Sequence, residues 1–154
     1  IGAEDVHRWH LDNGWSGCGY HYIIRRDGRL QRGRPLARVG AHSGAYGHNN
    51  YSIGVSMAGG YNCPSGTPNP QRYTSADSLT PVQMQTFKMF VGAFYEVWPG
   101  GQALGHNDTT DAGKVDPGFD VAEYVKIEFN KTNLLVNPSN GPLTPEQIIT
   151  GVAG

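Results

Sequence analysis

The sequence has no long hydrophobic run, almost no net charge and few cysteines. No apolar stretch approaches the roughly 20 residues that a membrane-spanning helix needs, and no stretch has the pattern of a signal peptide. The 12 basic and 13 acidic residues leave a net charge of -1, so the electrostatic footprint of a protein that binds nucleic acid or an anionic membrane is absent. We therefore expect a small molecule or a neutral polymer as partner, with no nucleic acid and no membrane.

Cys18 and Cys63 are the only cysteines of the chain. Two thiols so far apart in sequence do not indicate a redox compartment, and we predict that they are free, with a bridge between them as the alternative. The chain of 154 residues predicts one domain that buries roughly two thirds of its unfolded surface. Such a domain needs no disulfide scaffold.

Hydrophobic periodicity and turn signals predict the order helix, strands, helix, strand, helix, which fits an α/β sandwich with a mostly central sheet. Two local signals are specific. Asp27-Gly28 is typical of a hairpin turn, and Thr80-Pro81 with Gln83 is the capping box that starts a helix. In chain order we predict a helix over residues 3–13, two hairpin strands between 19 and 32, a short strand at 38–41, a buried strand at 52–58, a helix from 80 to about 97, a short strand at 102–105 and a last helix at 120–129.

The loop over residues 105–119, GHNDTTDAGKVDPGF, has the residue types of a metal site. His106 and Asp116 are of types that bind zinc, and a loop containing Gly113 and Pro117 can bend to bring them onto one ion. Lys114 could place a positive charge beside a carbonyl oxygen on which charge develops. The alternative is that His106 ends a strand and that Asp116 belongs to an ordinary turn before proline.

Histidines elsewhere in the chain favour packing or surface roles. His7 and His10 stand three apart on the first helix, a spacing that could chelate a metal, but no third ligand lies near them. Tyr20 and His21 are expected to point to opposite sides of the first strand, where either could be a core residue with a satisfied polar tip. His42 and His48 belong to a glycine-rich loop after a strand, where substrate contact competes with simple solvation.

Three segments resemble the zinc amidases of the phage endolysin and peptidoglycan recognition protein superfamily. They read VHRWHLDNGWSGCGYHYIIRRDG, VGAHSGAYGHNNYSIGV and GHNDTTDAGKVDPGFD. They occur in the order, and with roughly the spacing, of that superfamily, and the likeness covers residues 1 to about 129. Three motifs in register are far more specific than any one of them.

This resemblance implies an α/β fold with a central mixed sheet flanked by helices and a groove that holds the metal, together with a function and a set of site residues. His106 and Asp116 would bind Zn²⁺, and Tyr20 and Lys114 would be the catalytic pair. The implied reaction is hydrolysis of the amide between N-acetylmuramic acid and L-alanine in peptidoglycan by a zinc-activated water. The chemistry agrees, because an unactivated amide resists neutral water and a metal can both acidify water and polarise a carbonyl.

The same resemblance implies that His42 and the loop after it, including His48 and Asn49, line the substrate groove. The expected partner is peptidoglycan. We expect a monomer unless the chain is part of a larger virion protein. The enzyme would act on the bacterial cell wall, released at lysis, carried in a virion or secreted.

One feature departs from the family pattern. Family members have a first zinc-binding histidine at the end of a strand that precedes the first helix, whereas this sequence begins at Ile1 with that helix about to start. Either the segment lies outside this sequence, or it is a separate piece, or the domain is degenerate. His21 or His10 could in principle replace the ligand. We accordingly expect an amidase domain over residues 1–129, its N-terminal part and first strand missing, and a C-terminal arm or linker over 130–154.

Two other functions compete with the amidase. A non-catalytic peptidoglycan-binding module of the same fold would keep the groove without the metal, and the missing histidine favours it. Retention of Tyr20, Lys114 and Asp116 favours the enzyme, because a pure binder has no need of all three. A glycosidase with paired acids is disfavoured, since the carboxylates are scattered and no pair of them is marked out by an apolar setting.

Overall fold

A five-stranded mixed sheet forms the centre of the fold. This is seen in a computed structural model, which describes residues 1–42, 49, 52–58, 79–108, 119–133 and 150–153. The strands are β1 (Tyr22–Ile24), β2 (Leu30–Arg32), β3 (Ile53–Met57), β4 (Ala103–Gly105) and β5 (Thr150–Ala153), and the helices are α1 (Ala3–Asp12), α2 (Pro81–Val97) and α3 (Val121–Phe129). The predicted α/β class is confirmed.

The order of strands in the sheet is β2-β1-β3-β5-β4. β1 and β2 form the antiparallel hairpin predicted from Asp27-Gly28, and Gly28 has a φ of +86°, a conformation that glycine adopts without steric cost. β1, β3, β5 and β4 run parallel to one another. Their carboxyl ends therefore share one edge of the sheet, and His106 follows β4 directly at that edge.

The strand β5 comes from the segment that the sequence predicted to be an arm or linker. Thr150 pairs with Ile53 of β3 on one side and with Ala103 of β4 on the other. The domain boundary at residue 129 stays a prediction, but these four residues are not peripheral. They join β4 to the rest of the sheet.

The helices cover both faces of the sheet. Successive residues of a strand point to opposite faces, and accordingly Ile24 belongs to the large core with α2 and α3 whereas Ile23 packs with Val6 of α1 and with Cys18. The capping box predicted for α2 is present, because Thr80 accepts the backbone N–H of Gln83 at 3.2 Å. None of the helices in the described part of the chain has the length and hydropathy of a membrane span.

Two local predictions were wrong. Residues 38–41 form no strand, because a turn closes after Pro35, where the Arg38 N–H donates to the Pro35 carbonyl at 3.0 Å. Alternation along a strand that starts at residue 19 predicts that Tyr20 shares a face with Tyr22 and Ile24. Tyr20 packs with Ile23 instead, since β1 begins only at Tyr22 and strand alternation does not extend back to residue 20.

Candidate active site

Tyr20 lies just before β1 in a row of aromatic rings. Its ring centroid is 6.1 Å from that of His42, with the planes nearly parallel at 25°. The ring centroid of His10 lies 5.9 Å from that of Tyr20, and the centroid of Trp15 lies 4.4 Å from that of His10. Tyr20 is half-buried, and two imidazoles are neighbours of its ring.

The two histidines of α1 support the segment that leads to Tyr20. The Cys18 N–H donates to Nδ1 of His7 at 3.1 Å, and the Gly19 N–H donates to Nδ1 of His10 at 2.8 Å. Burial lowers the pKa of His10, and the nearby positive charge of Arg34 lowers it further. The packing or surface role predicted for His7 is thus confirmed, since its ring accepts a backbone hydrogen bond. His10 also accepts a backbone hydrogen bond, and its ring lies beside that of Tyr20.

His21 is a structural residue of the sheet. It is 3% exposed, its Nε2 donates to the Arg38 carbonyl at 2.8 Å, and its Nδ1 accepts the Gly54 N–H at 3.0 Å. Both ring nitrogens are therefore used, which fixes the tautomer. The proposal that His21 replaces a zinc ligand is not supported, because coordination would break one of these bonds.

His42 is buried behind Tyr20 and next to His21. Its backbone N–H donates to Oδ1 of Asn49 at 2.9 Å, and among the described residues its buried Nε2 has no hydrogen-bond partner. Burial lowers the pKa of His42 to about 3, with further contributions from the imidazoles of His21 and His106. His42 is thus neutral at pH 7.

Glycines leave the space that the His42 ring occupies. A Cβ at Gly54 would overlap Cδ2 and Cγ of His42 and stand 2.7 Å from Nε2, and a Cβ at Gly40 would also lie 2.7 Å from Nε2. The ring is therefore enclosed by backbone on this side. A substrate can reach only the small part of His42 that is exposed, 7% of the residue.

His106 opens a 3₁₀ turn, His106–Asp108, that follows β4. Oδ2 of Asp108 accepts the Gly105 N–H at 2.9 Å, which fixes the turn just before the histidine. Burial raises the pKa of Asp108. The charge of the His106 imidazole contributes to the lowered pKa of His42, after burial and the charge of His21.

The described structure brings together three of the predicted site residues, Tyr20, His42 and Asn49, and His106 contributes to the pKa of His42. His48, Lys114 and Asp116 lie outside the described residues, as does Cys63, while Cys18 is a buried free thiol. Within the part of the chain that the structure describes, no group of three His, Cys, Asp or Glu side chains could hold a metal ion.

Sequence reasoning missed Asp108 and Arg34. Asp108 is two residues after His106, where an acidic side chain next to a turn is a weak signal of capping. Arg34 donates from Nε to the Cys18 carbonyl at 2.9 Å and from Nη1 to the Val39 carbonyl at 2.6 Å. Hydrogen bonds from a side chain to distant backbone carbonyls leave no periodic pattern in a sequence.

The chain is similar to phage endolysins, to peptidoglycan-recognition proteins and to a solved amidase structure. An endolysin of Klebsiella phage KP32 is 33% identical over 124 residues, which are 80% of this chain and 74% of that protein. Peptidoglycan-recognition protein SC1a of Drosophila melanogaster is 39% identical over 67 residues, 43% of this chain and 35% of that protein. The solved structure of N-acetylmuramoyl-L-alanine amidase LysC from Clostridium intestinale URNW has a TM-score of 0.65 at 27% identity, covering 84% of this chain and 76% of that chain.

The family match spans most of the chain. Residues 2–119 match the family described as N-acetylmuramoyl-L-alanine amidase, and this range includes every predicted site residue. The family is generally zinc-dependent. The chain belongs to the N-acetylmuramoyl-L-alanine amidase family, the hydrolases that cleave the amide between N-acetylmuramic acid and L-alanine in peptidoglycan.

Proposed function

We propose that this chain hydrolyses the N-acetylmuramoyl-L-alanine amide at a site built around Tyr20, His42 and His106, with zinc held by His106 and Asp116. The observation that carries the proposal is the contact between Tyr20 and His42, whose ring centroids lie 6.1 Å apart although the two residues come from separate segments of the chain. The charge of the His106 imidazole helps to lower the pKa of His42, which favours a place for His106 in the same site.

The donor set fits zinc in its chemistry. His106 supplies an imidazole from a turn that is fixed by Asp108, and Asp116 supplies a carboxylate, both of which are common zinc ligands. When bound, zinc lowers the pKa of a coordinated water to near 7 and polarises the scissile carbonyl. His42 is less suited to be a ligand, because its Nε2 is buried against Gly40 and Gly54.

Tyr20 would position the attacking water and take part in proton transfer. A phenol with an ordinary pKa of about 10 is a poor base at neutral pH, so positioning is its main task and proton transfer depends on a lowered pKa. The neighbouring imidazoles of His10 and His42 restrict the ring of Tyr20. Such restriction keeps the hydroxyl in one place relative to the substrate.

Lys114 would stabilise the negative charge that develops on the carbonyl oxygen during attack. Lys114 stands two residues before Asp116 in the sequence. A loop that brings the Asp116 carboxylate to the zinc can therefore bring the Lys114 ammonium close to the scissile carbonyl. His42, His48 and Asn49 would line the groove that binds the muropeptide. For Asn49 this would come in addition to its hydrogen bond to the backbone of His42.

The comparisons favour the enzyme over a non-catalytic binding module. The long matches are to proteins named endolysins and amidases, whereas the match to peptidoglycan-recognition protein SC1a covers 67 residues only. The absence of nucleic-acid and membrane partners, and the monomeric state, stay predictions.

Product analysis on purified peptidoglycan tests the proposal. The chain is incubated with cell walls, and new amino termini and new reducing sugars are both measured. We expect amino-terminal L-alanine in the insoluble and soluble fractions and no increase in reducing sugar. New reducing ends without new amino termini would indicate a glycosidase and overturn the assignment.

A further inference from the structure

The guanidinium of Arg34 connects the two segments that deliver Tyr20 and His42. Its Nε donates to the carbonyl of Cys18 at 2.9 Å, and its Nη1 donates to the carbonyl of Val39 at 2.6 Å. Cys18 precedes Tyr20 by two residues, and Val39 precedes His42 by three. One side chain therefore fixes the spacing between two loops that have no strand pairing with each other in the described structure.

The backbone of Arg34 fixes the same region. Its N–H donates to the carbonyl of Tyr20 itself at 2.7 Å, and the N–H of the preceding Gly33 donates to the carbonyl of His21 at 2.9 Å. The Ala41 N–H donates to the Gly19 carbonyl at 2.9 Å and closes the connection between the loops. Arg34 thus holds Tyr20 through its main chain and the approach to His42 through its side chain.

Arginine is suited to this place in a way that lysine is not. The planar guanidinium carries donors in a rigid fork, so it can hold two carbonyls at once in a fixed geometry, whereas an ammonium is a point charge on a flexible stem. The contact with Cys18 is partly buried and the contact with Val39 is exposed. No carboxylate pairs with Arg34 in the described residues, so backbone carbonyls are the groups that its side chain holds.

We propose that Arg34 is a positioning residue of the amidase site, which ties the carbonyls of Cys18 and Val39 together and thereby sets the distance between Tyr20 and the His42 side of the groove. The proposal rests on the proposed function. Arg34 acts through Tyr20 and His42 and does not itself take part in bond making. Displacement of a reacting group by about 1 Å can lower the rate about 10²-fold, so a loosened connection is expected to appear in kcat.

Three variants test this role. Arg34→Lys keeps the positive charge but loses the fork, Arg34→Ala loses both, and Arg29→Lys is the control, since the Arg29 side chain is 75% exposed on the same hairpin. We expect Arg34→Lys to lower kcat by about 10- to 100-fold with little change in KM. Arg29→Lys should retain the kcat of the original chain. Guanidinium ion added below its denaturing concentration should partly restore kcat to Arg34→Ala, whereas ammonium should not.

Nuclear magnetic resonance separates failure of this inference from failure of the proposed function. The ring resonances of Tyr20 and His42 should shift in Arg34→Lys and stay in place in Arg29→Lys, whether or not the chain is an amidase. If the original chain releases no amino-terminal L-alanine, the proposed function fails. If the original chain is active and Arg34→Lys keeps its kcat, or if the Tyr20 and His42 resonances do not move, the positioning role is overturned. If Arg34→Ala does not fold, the kcat of Arg34→Lys and its Tyr20 and His42 ring resonances still test the positioning role.

Discussion

The buried imidazole of His42 makes the stability of the fold sensitive to acid. Burial lowers its pKa from 6.5 to about 3, so between these values the unfolded chain binds a proton at this residue that the folded chain does not. Stability must then fall as the pH falls through this window. The free energy of unfolding should drop by about 2 kcal/mol between pH 7 and pH 5, and by about 3 kcal/mol by pH 4, from this group alone.

The substitution His42→Gln removes this titration and isolates its contribution. Urea unfolding is followed by tryptophan fluorescence at pH 7, 5 and 4, with a chelator present so that metal release does not contribute. Between pH 7 and pH 5 the free energy of unfolding of the original chain should fall by about 2 kcal/mol more than that of His42→Gln. This holds whatever the difference in stability between the two proteins at pH 7. Parallel pH profiles, or a His42 ring resonance that titrates near 6.5 in the folded chain, would refute the burial argument.

Three further substitutions test the site. Tyr20→Phe should lower kcat on the order of 10²-fold with little change in KM or melting temperature, because only the hydroxyl is removed; an unchanged kcat would exclude a role for it. Lys114→Ala should lower kcat by about 10²-fold or more and substrate binding much less, and equal losses of both in steady-state kinetics would contradict oxyanion stabilisation. Gly54→Ala should destabilise the fold by about 1–3 kcal/mol in urea unfolding, because its Cβ would overlap the His42 ring, while Gly100→Ala, which meets nothing within 4 Å, should leave stability near that of the original chain.

Local signals were sufficient for much of the fold. The hairpin follows from Asp27-Gly28, since few residues other than glycine adopt the positive φ that its turn needs. The start of α2 follows from Thr80 and Gln83, whose side chains satisfy each other's backbone N–H groups. Both features depend on residues within four positions of one another, which is the range over which a single sequence is informative.

Pairing between distant segments could not be predicted in the same way. Thr150–Ala153 enters the sheet between β3 and β4 through backbone hydrogen bonds, for which side-chain identity is nearly irrelevant. The surrounding sequence is rich in asparagine and proline, which favoured an arm. The strand predicted at residues 38–41 does not form. The backbone N–H of Arg38 donates to Pro35 in a turn and that of Ala41 donates to Gly19 in a contact between loops, so neither N–H pairs with a strand.

The site shows the same division. Resemblance predicted Tyr20, His42 and His106 as site residues, and the structure shows the rings of Tyr20 and His42 in contact. The resemblance could not show that His42 is enclosed by Gly40 and Gly54, because the two glycines belong to different segments. The hydrogen bonds of Arg34 were hidden for a similar reason, since their acceptors are main-chain carbonyls of residues that have no chemistry of their own.

We propose that zinc held by His106 and Asp116 is required for cleavage of the muramoyl amide. The decisive measurement is release of amino-terminal L-alanine from peptidoglycan before chelation, after chelation and after zinc is added back, for the original chain and for His106→Ala. We expect that chelation abolishes release, that zinc restores it in the original chain, and that His106→Ala binds zinc more weakly and stays inactive. Amide cleavage that continues undiminished after chelation, or in His106→Ala, would show that the reaction does not depend on this zinc.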